Sequence, residues 1–278
     1  MTRYLDRWMV RATIAILLLS IASTLLGLFR PGHYREAAAI VELNRVQDAT
    51  ILLAGAPVLA SGLWYAARGS LGGRLVWLGG LVYMSYMWAN IGLATAFNEL
   101  FLVYVALFGL STFTLVGGLL ATDPDTVAAA LGEHVSRPLY AGVLTVIALG
   151  LAALWLSELV PATLTGEAPL LVAERGPMAL VSHFLDLSLV VPALLLAAVW
   201  LHRGHRWGPL VAGVMLVFGA TVGVSITAMT LTIAAGDAIT LSPVAAVFTF
   251  LPVLLAAVLA WRYLGSLRGT GHEGRAAG

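Results

Sequence analysis

The sequence predicts an all-α, polytopic transmembrane helix bundle of about eight helices. Of its 278 residues, 60% are hydrophobic and only 10% are charged, whereas soluble domains carry about 25% charged residues to wet their surface. The mean hydropathy is +0.94. The apolar residues are gathered into runs of about 20, which is the length that an α-helix needs to cross a bilayer. Lipid is therefore the expected solvent for this chain.

Eight segments are apolar and long enough to span. The first follows several arginines, as the core of a signal peptide does, but its length and the lack of a small-residue cleavage site favour a retained helix. The third and fourth are separated only by Phe97, Asn98 and Glu99, which predicts a tight antiparallel hairpin. The predicted segments are 12–29, 49–67, 75–96, 100–121, 139–159, 184–201, 210–235 and 243–263.

The arginines indicate the orientation. If the N-terminus is cytoplasmic, eleven of the 15 basic residues, all of them arginine, fall in cytoplasmic segments, as the positive-inside rule requires. An even number of helices then places the C-terminus in the cytoplasm as well. We therefore expect a multi-pass protein of the cell membrane with both termini cytoplasmic.

The chain has features of a parallel internal repeat. Asp48 and Arg68 are 20 residues apart and flank helix two, and Asp186 and Arg206 flank helix six in the same way. Four helices in each half imply two units related by an axis along the membrane normal. Glycine and other small residues at the C-terminus predict a disordered tail. The expected units are 1–122, 123–267 and a cytoplasmic tail over 268–278.

The composition excludes several cofactor chemistries. The chain has no cysteine, which rules out disulfides, thiolate nucleophiles and cysteine-ligated iron–sulfur clusters. It has no lysine to form a retinal Schiff base. A membrane haem would need axial histidines within the helices, and the predicted helices do not supply them. No basic stripe indicates nucleic-acid binding, and the identity of any cofactor stays open.

Acidic residues at the predicted starts of helices two and six form the first candidate site. Asp48 and Asp186 can be interpreted as first-turn acids that complement the helix dipole. Alternatively, both face an outward cavity near Asn98 and Glu99, because ionisable groups at membrane depth are costly and usually functional. His183, three residues before Asp186, is the histidine closest to a helix start.

Helix three carries a polar and aromatic face. Tyr83, Tyr86 and Asn90 follow helical spacing and share one side of the helix. Tyr104 and Ser111 of helix four are expected to approach the same face. Such a face suits a small polar or amphipathic ligand. The alternative is an interhelical seam of hydrogen bonds and aromatic packing.

Two further patterns concern packing and the membrane surface. Gly219 and Gly223 are four residues apart, as in helix-packing motifs. The segments 34–47 and 170–180 are mildly amphipathic, which is typical of interfacial helices but also of ordinary exposed loops.

Residues 97–108, with the sequence Phe-Asn-Glu-Leu-Phe-Leu-Val-Tyr-Val-Ala-Leu-Phe, resemble a stretch of a family of uncharacterised prokaryotic polytopic membrane proteins. The segments 183–192 and 206–208 are similar to the second half of that family. The resemblance covers most of the chain and implies a membrane fold. Because the family has no assigned activity, the resemblance transfers no residue role.

The sequence therefore predicts a membrane protein that binds, senses or transports a small molecule or ion through an outward-facing pocket. The alternatives are a non-catalytic scaffold or assembly subunit of a membrane complex, and an intramembrane enzyme that uses His183 with an aspartate. The expected partners are the lipid bilayer, a small-molecule ligand and other subunits in a homo- or hetero-oligomer, with no nucleic acid. The predicted pocket residues, none of them catalytic or metal-binding, are Asp48, Tyr83, Tyr86, Asn90, Asn98, Glu99, Tyr104, His183 and Asp186.

Overall fold

A computed structural model describes residues 5–132, 135–235 and 243–268. All regular secondary structure within these residues is helical, which confirms the all-α prediction. The helices are α1 (Arg7–Phe29), α2 (Ala38–Ala67), α3 (Leu71–Ala94), α4 (Phe101–Leu120), α5 (Pro124–Leu131), α6 (Arg137–Thr165), α7 (Leu170–Arg175), α8 (Leu180–His202), α9 (Gly208–Ala235) and α10 (Pro243–Arg268).

Seven segments of the described chain are long and apolar enough to cross a membrane, namely α1, α2, α4, α6, α8, α9 and residues Thr249–Leu267 of α10. The helix α3 has 24 residues, or about 36 Å at 1.5 Å per residue, which is long enough to span. Its mean hydropathy is below that of the seven candidate spans. Short connections make successive long helices antiparallel. We call the end that carries residues 30–37 and 95–100 the Asp48 end, and the end that carries residues 68–70 and 121–123 the Arg68 end.

The helix α3 lies at the centre of the bundle, where α2, α4 and α9 pack around it. Its side chains Trp77, Tyr83 and Trp88 are at most 1% exposed. Because most of its surface meets protein rather than lipid, the helix carries aromatic and polar residues where the outer helices carry aliphatic ones. This central position accounts for its low hydropathy.

Glycines allow the closest helix contacts. A Cβ atom on Gly62 in α2 would overlap the backbone nitrogen of Trp77 in α3. A Cβ atom on Gly208, the first residue of α9, would lie 2.6 Å from the backbone nitrogen of Leu201 in α8. Since both obstacles are main-chain atoms, a side chain at either glycine would push two helices apart. The pairs α2–α3 and α8–α9 are therefore helical hairpins in direct backbone contact.

The helices α2 and α8 each contain one turn of π-helix. These turns are Ile51–Gly55 and Asp186–Val190. Pro57 and Pro192 follow two residues after the respective turn. A proline has no N–H to donate to the carbonyl four residues back, and the wider turn lies where that hydrogen bond is missing. Turns of this kind are common at functional sites.

The π turns begin at residues 51 and 186, so they are 135 residues apart. The same offset relates Gly69 and Gly204, which end the two helices with φ angles of 82° and 69°. Both ends have the same backbone hydrogen bond. The N–H of the residue after the glycine donates to the carbonyl of the residue that lies four positions before the glycine. Positive φ is strained for other residues but free for glycine, so the two helix ends are built alike.

The offset of 135 residues corrects the pairing that we expected from the sequence. At this offset Arg68 corresponds to Arg203, and Asp48 corresponds to His183. Pairing Asp48 with Asp186 is therefore one helical turn out of step with the backbone geometry. The internal repeat itself stays a prediction, together with the unit boundaries.

The structure also changes the expected helix boundaries. Helix α2 begins at Ala38 and continues to Ala67, so the amphipathic segment 34–47 is mostly the first part of a membrane-crossing helix and not a separate interfacial helix. In the second half, the short helix α7 is separate from α8 and is followed by a 3-10 turn at Pro177–Ala179. The predicted tail over 268–278 lies, apart from Arg268, outside the described residues.

Candidate functional site

Asp48 is buried inside the bundle near the Asp48 end. It is the eleventh residue of α2 and is only 1% exposed, so its interpretation as a first-turn acid is wrong. The hydroxyl of Tyr34 donates a hydrogen bond of 2.6 Å to its Oδ2 atom. The carboxylate packs against Gly27 of α1, where a Cβ atom would overlap it. The absence of a side chain at Gly27 makes room for this buried acid.

His33 connects the surface of the Asp48 end to the interior. It lies between α1 and α2 and is 1% exposed. Its Nδ1 atom lies 3.3 Å from Oε1 of Glu99, and its Nε2 atom lies 2.9 Å from the hydroxyl of Tyr104. The Glu99 side chain is 38% exposed and pairs with Arg30 at 2.7 Å. A chain of polar contacts thus runs from a surface ion pair to a buried phenol.

Tyr34 and Glu99 of this cluster lie outside the membrane-crossing helices, and their pKa values are shifted. Burial, assisted by the nearby Asp48 carboxylate, raises the pKa of Tyr34 above its ordinary value. The phenol therefore keeps its proton and remains a donor. The pKa of Glu99 is lowered mainly by a hydrogen bond between its carboxylate and its own backbone, and further by the hydrogen bond to His33. Glu99 is accordingly a charged acceptor at neutral pH.

Asp186 lies in the π turn of α8 and is 8% exposed. The hydroxyl of Tyr86 donates to its Oδ1 atom at 2.9 Å, and the indole nitrogen of Trp155 donates to its Oδ2 atom at 2.8 Å. Both carboxylate oxygens therefore accept a hydrogen bond from a neutral aromatic side chain. We call these three residues the Asp186 network, and Tyr34 with Asp48 the Asp48 network.

Next to the Asp186 network, His183 packs its ring on Trp155 with the centroids 4.0 Å apart. Its Nδ1 atom lies 3.0 Å from the carbonyl of Ala179, and its Nε2 atom lies 3.5 Å from Glu158. The second distance is long for a hydrogen bond. Glu158 also accepts a hydrogen bond of 2.6 Å from the backbone N–H of Leu171. His183 is thus held by a backbone carbonyl and an aromatic ring.

Three hydroxyl groups form a chain of hydrogen bonds that joins the two halves of the sequence at the centre of the bundle. The hydroxyl of Tyr83 lies 2.9 Å from Ser225 in α9, and Ser225 donates to Thr50 in α2 at 2.9 Å. Gly55, in the π turn of α2, leaves room for the Tyr83 ring, which a Cβ atom there would overlap. The π turn and the hydroxyl chain are therefore parts of one packing arrangement.

The structure divides the predicted pocket into two sites. Tyr83, Tyr86 and Asn90 all reach second-half residues, with Asn90 donating to Ser182 at 2.9 Å. Tyr104 instead stacks on Trp88, which lies on the opposite side of α3. Our expectation that Tyr104 approaches the same face of this helix is therefore wrong. The helix α3 separates the Asp186 network from Tyr104 and the Asp48 network.

Four important residues of the two sites escaped the sequence reasoning. His33 and Tyr34 follow the end of a predicted span, where the sequence has no helix-start pattern that marks functional side chains. Trp155 and Glu158 lie three residues apart in a long apolar helix, at a spacing that places them on one face. That spacing was the signal that could have identified them.

Three buried polar atoms have no hydrogen-bond partner among the described residues. They are Nδ2 of Asn44, Nδ2 of Asn98 and the hydroxyl of Ser111. Asn98 interacts with the neighbouring Tyr104, but its Nδ2 atom does not reach hydrogen-bond geometry. Buried donors without partners are uncommon in folded proteins. Asn98 is therefore buried beside Tyr104 with an amide donor that no described residue accepts, and its role in a pocket stays a prediction.

Two open grooves accompany these buried sites. One of about 420 Å³ is lined by His183, Phe184 and Leu187 with neighbouring residues of α6 and α8. The other, of about 580 Å³, lies at the Arg68 end between Tyr140 and Arg262. Of the predicted pocket residues, His183 lines the first groove and the others line neither. Within the described residues, no three histidine or acidic side chains form a group that could hold a metal ion.

Comparison of the chain with protein-family models, with curated proteins and with solved structures finds no match. The resemblance of residues 97–108 to a family of membrane proteins stays a prediction. The geometry of the two carboxylate networks is therefore the main indication of function.

Proposed function

We propose that this multi-pass membrane protein binds and moves a small cation, with the proton as the main candidate, at Asp48 and Asp186. The observation that carries the proposal is the burial of both carboxylates among membrane-crossing helices with neutral hydrogen-bond donors. In the described part of the chain, no arginine or histidine nitrogen lies within 4.0 Å of either carboxylate. An acid at such depth is costly unless it exchanges a proton or binds a cation.

Movement, beyond binding alone, is supported by a hydroxyl chain that connects α2, α3 and α9 and by the irregular helices that carry the two acids. The hydroxyl chain of Tyr83, Ser225 and Thr50 crosses the bundle between the halves that carry Asp48 and Asp186. Both carboxylates lie in helices that contain a π turn. In such a turn the regular hydrogen-bond pattern of the α-helix is locally interrupted. Two buried acids on opposite sides of α3, with hydroxyl groups on α2, α3 and α9 inside the same bundle, favour a path for a small cation.

The orientation belongs to the same proposal. We place the Asp48 end outside and the Arg68 end in the cytoplasm of a cell-membrane protein. The positive-inside rule supports this placement, because arginines concentrate at the Arg68 end. Those among the described residues are Arg7, Arg11, Arg68, Arg74, Arg137, Arg203, Arg206, Arg262 and Arg268.

We also propose that the two halves are a parallel repeat. The π turns, the prolines that follow them and the glycine helix ends Gly69 and Gly204 share one offset. The close-contact glycines Gly73 and Gly208 share it too, since a Cβ atom on either would meet corresponding backbone atoms of the preceding helix. Shared irregularities support common ancestry better than shared apolar composition does.

Binding of a small amphipathic molecule is a second candidate, which the groove beside His183 favours. The groove is lined by apolar side chains of α6 and α8 with one imidazole, and this combination suits a lipophilic ligand with a polar head group. The enzyme alternative, which requires His183 to act with an aspartate, has weaker support because the acid beside its Nε2 atom is Glu158, at 3.5 Å.

The test is infrared difference spectroscopy of the purified protein in lipid, with the pH of the surrounding solution as the variable. We expect absorption bands of buried carboxyl groups to appear on acidification and to be lost singly in Asp48→Asn and Asp186→Asn. In vesicles that contain a pH-sensitive dye, an imposed membrane potential should drive faster proton entry than in protein-free vesicles. Both Asn variants should return to the protein-free rate.

The matched control is Glu167→Gln, which changes an exposed acid in the α6–α7 connection and should leave bands and rates unchanged. Added Na⁺ at constant pH separates the two cations, since a Na⁺ site would show shifted carboxyl bands. If the wild-type carboxyl bands respond neither to pH nor to Na⁺, the proposal is wrong.

A further inference from the structure

His33 is a buried histidine that contacts both the partly exposed Glu99 and Tyr34 of the Asp48 network. It is held in the connection between α1 and α2, just after Gly32, whose positive φ of 72° turns the chain back towards the bundle. The connection is fixed to the neighbouring one because Glu36 accepts a hydrogen bond of 2.7 Å from the backbone of Ala96. The imidazole is therefore positioned by the main chain at two points and is not a loose surface group.

The two ring nitrogens of His33 have different surroundings. Nδ1 faces the partly exposed Glu99, which also pairs with Arg30. Nε2 faces the buried hydroxyl of Tyr104 at 2.9 Å. An imidazole can accept a proton on one nitrogen and release one from the other. This is the arrangement of a group that passes protons between a surface acid and a buried hydroxyl.

The buried side of His33 leads to Asp48. The ring of Tyr34 lies against the imidazole with centroids 4.7 Å apart, and its hydroxyl donates to Asp48 at 2.6 Å. The Asp48 carboxylate also acts electrostatically on Tyr104. The titratable and charged groups that surround the imidazole are thus Arg30, Tyr34, Asp48, Glu99 and Tyr104, with Glu36 close to the two tyrosines.

From this geometry we propose that His33 relays protons between the outer solution and the Asp48 carboxyl, with Glu99 as the surface acceptor. A proton that arrives through Glu99 binds Nδ1, the Tyr104 hydroxyl takes the proton from Nε2, and the hydroxyl's own proton passes on to the Asp48 carboxylate, which becomes the neutral acid. One proton enters and one leaves, so the imidazole keeps its net charge and exchanges the nitrogen that carries the proton. The reverse sequence resets it. This role rests on the proposed function of Asp48 and assigns its route to the outside.

The test measures how fast the Asp48 carboxyl band responds to a rapid pH change. In His33→Gln, we expect the response to slow on the order of a hundredfold, the usual contribution of a positioned proton-transfer group. The band itself should keep its equilibrium amplitude, because a relay changes rates and not the final state. Imidazole added to the solution should restore part of the rate, which a purely structural role would not allow.

Glu99→Gln is the second variant, at a partly exposed position where folding is less sensitive, and it should also slow the response. His205→Gln changes an exposed histidine at the Arg68 end and serves as the control with unchanged kinetics. Wild-type kinetics in both His33→Gln and Glu99→Gln would overturn the relay while leaving Asp48 as a proton site. Absence of the band in the wild type would instead overturn the proposed function.

Discussion

Replacing Gly62 by alanine is expected to destabilise the bundle. Overpacking typically costs about 1–3 kcal/mol of folding free energy, and we expect a value near the upper end of that range. The added Cβ atom would overlap the backbone nitrogen of Trp77 in the central helix α3. A flexible side chain could rotate away, but a main-chain atom can yield only if α2 and α3 move apart. That movement would also loosen the fully buried Trp77 ring from its neighbours.

The matched control is Gly109→Ala in α4, where nothing lies within 4 Å of the added Cβ atom. Alanine is the better helix former, so this variant should be as stable as the wild type or slightly more stable. The free energy of unfolding in mixed micelles, followed by circular dichroism, checks both values. Equal stability of the two variants would show that the contact between α2 and α3 is looser than described.

The second large effect is expected when Asp186 loses both of its hydrogen-bond donors. Tyr86→Phe or Trp155→Phe alone removes one donor and should cost about 1–3 kcal/mol of folding stability. The double variant leaves a buried carboxylate with neither donor. Its cost should reach about 3–5 kcal/mol, as for other buried charges that lose their partners.

Packing losses must be separated from this effect, because Trp155 also packs against His183. Repeating Trp155→Phe in an Asp186→Leu background measures the packing part alone. Tyr65→Phe and Trp261→Phe change exposed aromatic residues and should leave the stability unchanged. If the double variant costs no more than either single variant, the two donors do not act on the same buried acid.

The fold class was predictable because it depends on composition and on the lengths of apolar runs, and both survive without knowledge of contacts. The spacing of Tyr83, Tyr86 and Asn90 places them on one face of the helix, and all three form hydrogen bonds with residues of the second half. What the spacing could not predict was the identity of those partners, since Asp186 and Ser225 lie 100 and 142 residues from Tyr86 and Tyr83 along the chain. The hydrogen bonds of the Asp186 network are set by packing between halves.

The position of Asp48 shows a different limit. An acid before an apolar run is typical of a helix start, but α2 begins ten residues earlier at Ala38. The polar segment before Asp48 is helical because it packs against α1 and α9, which sequence alone does not reveal. Likewise His33 and Tyr34 belong to a connection, and connections carry no periodicity from which side-chain direction can be predicted.

The burial of α3 also affects how the protein is made. A segment enters the bilayer from the insertion machinery by itself only if its own side chains favour lipid. Leu71–Ala94 contains Arg74 and Asn90 and is less apolar than the seven candidate spans. Its partner α2 is already synthesised when it emerges and is joined to it by a connection of only three residues. The two helices would therefore integrate as one unit, with the backbone contact at Gly62 formed during biogenesis.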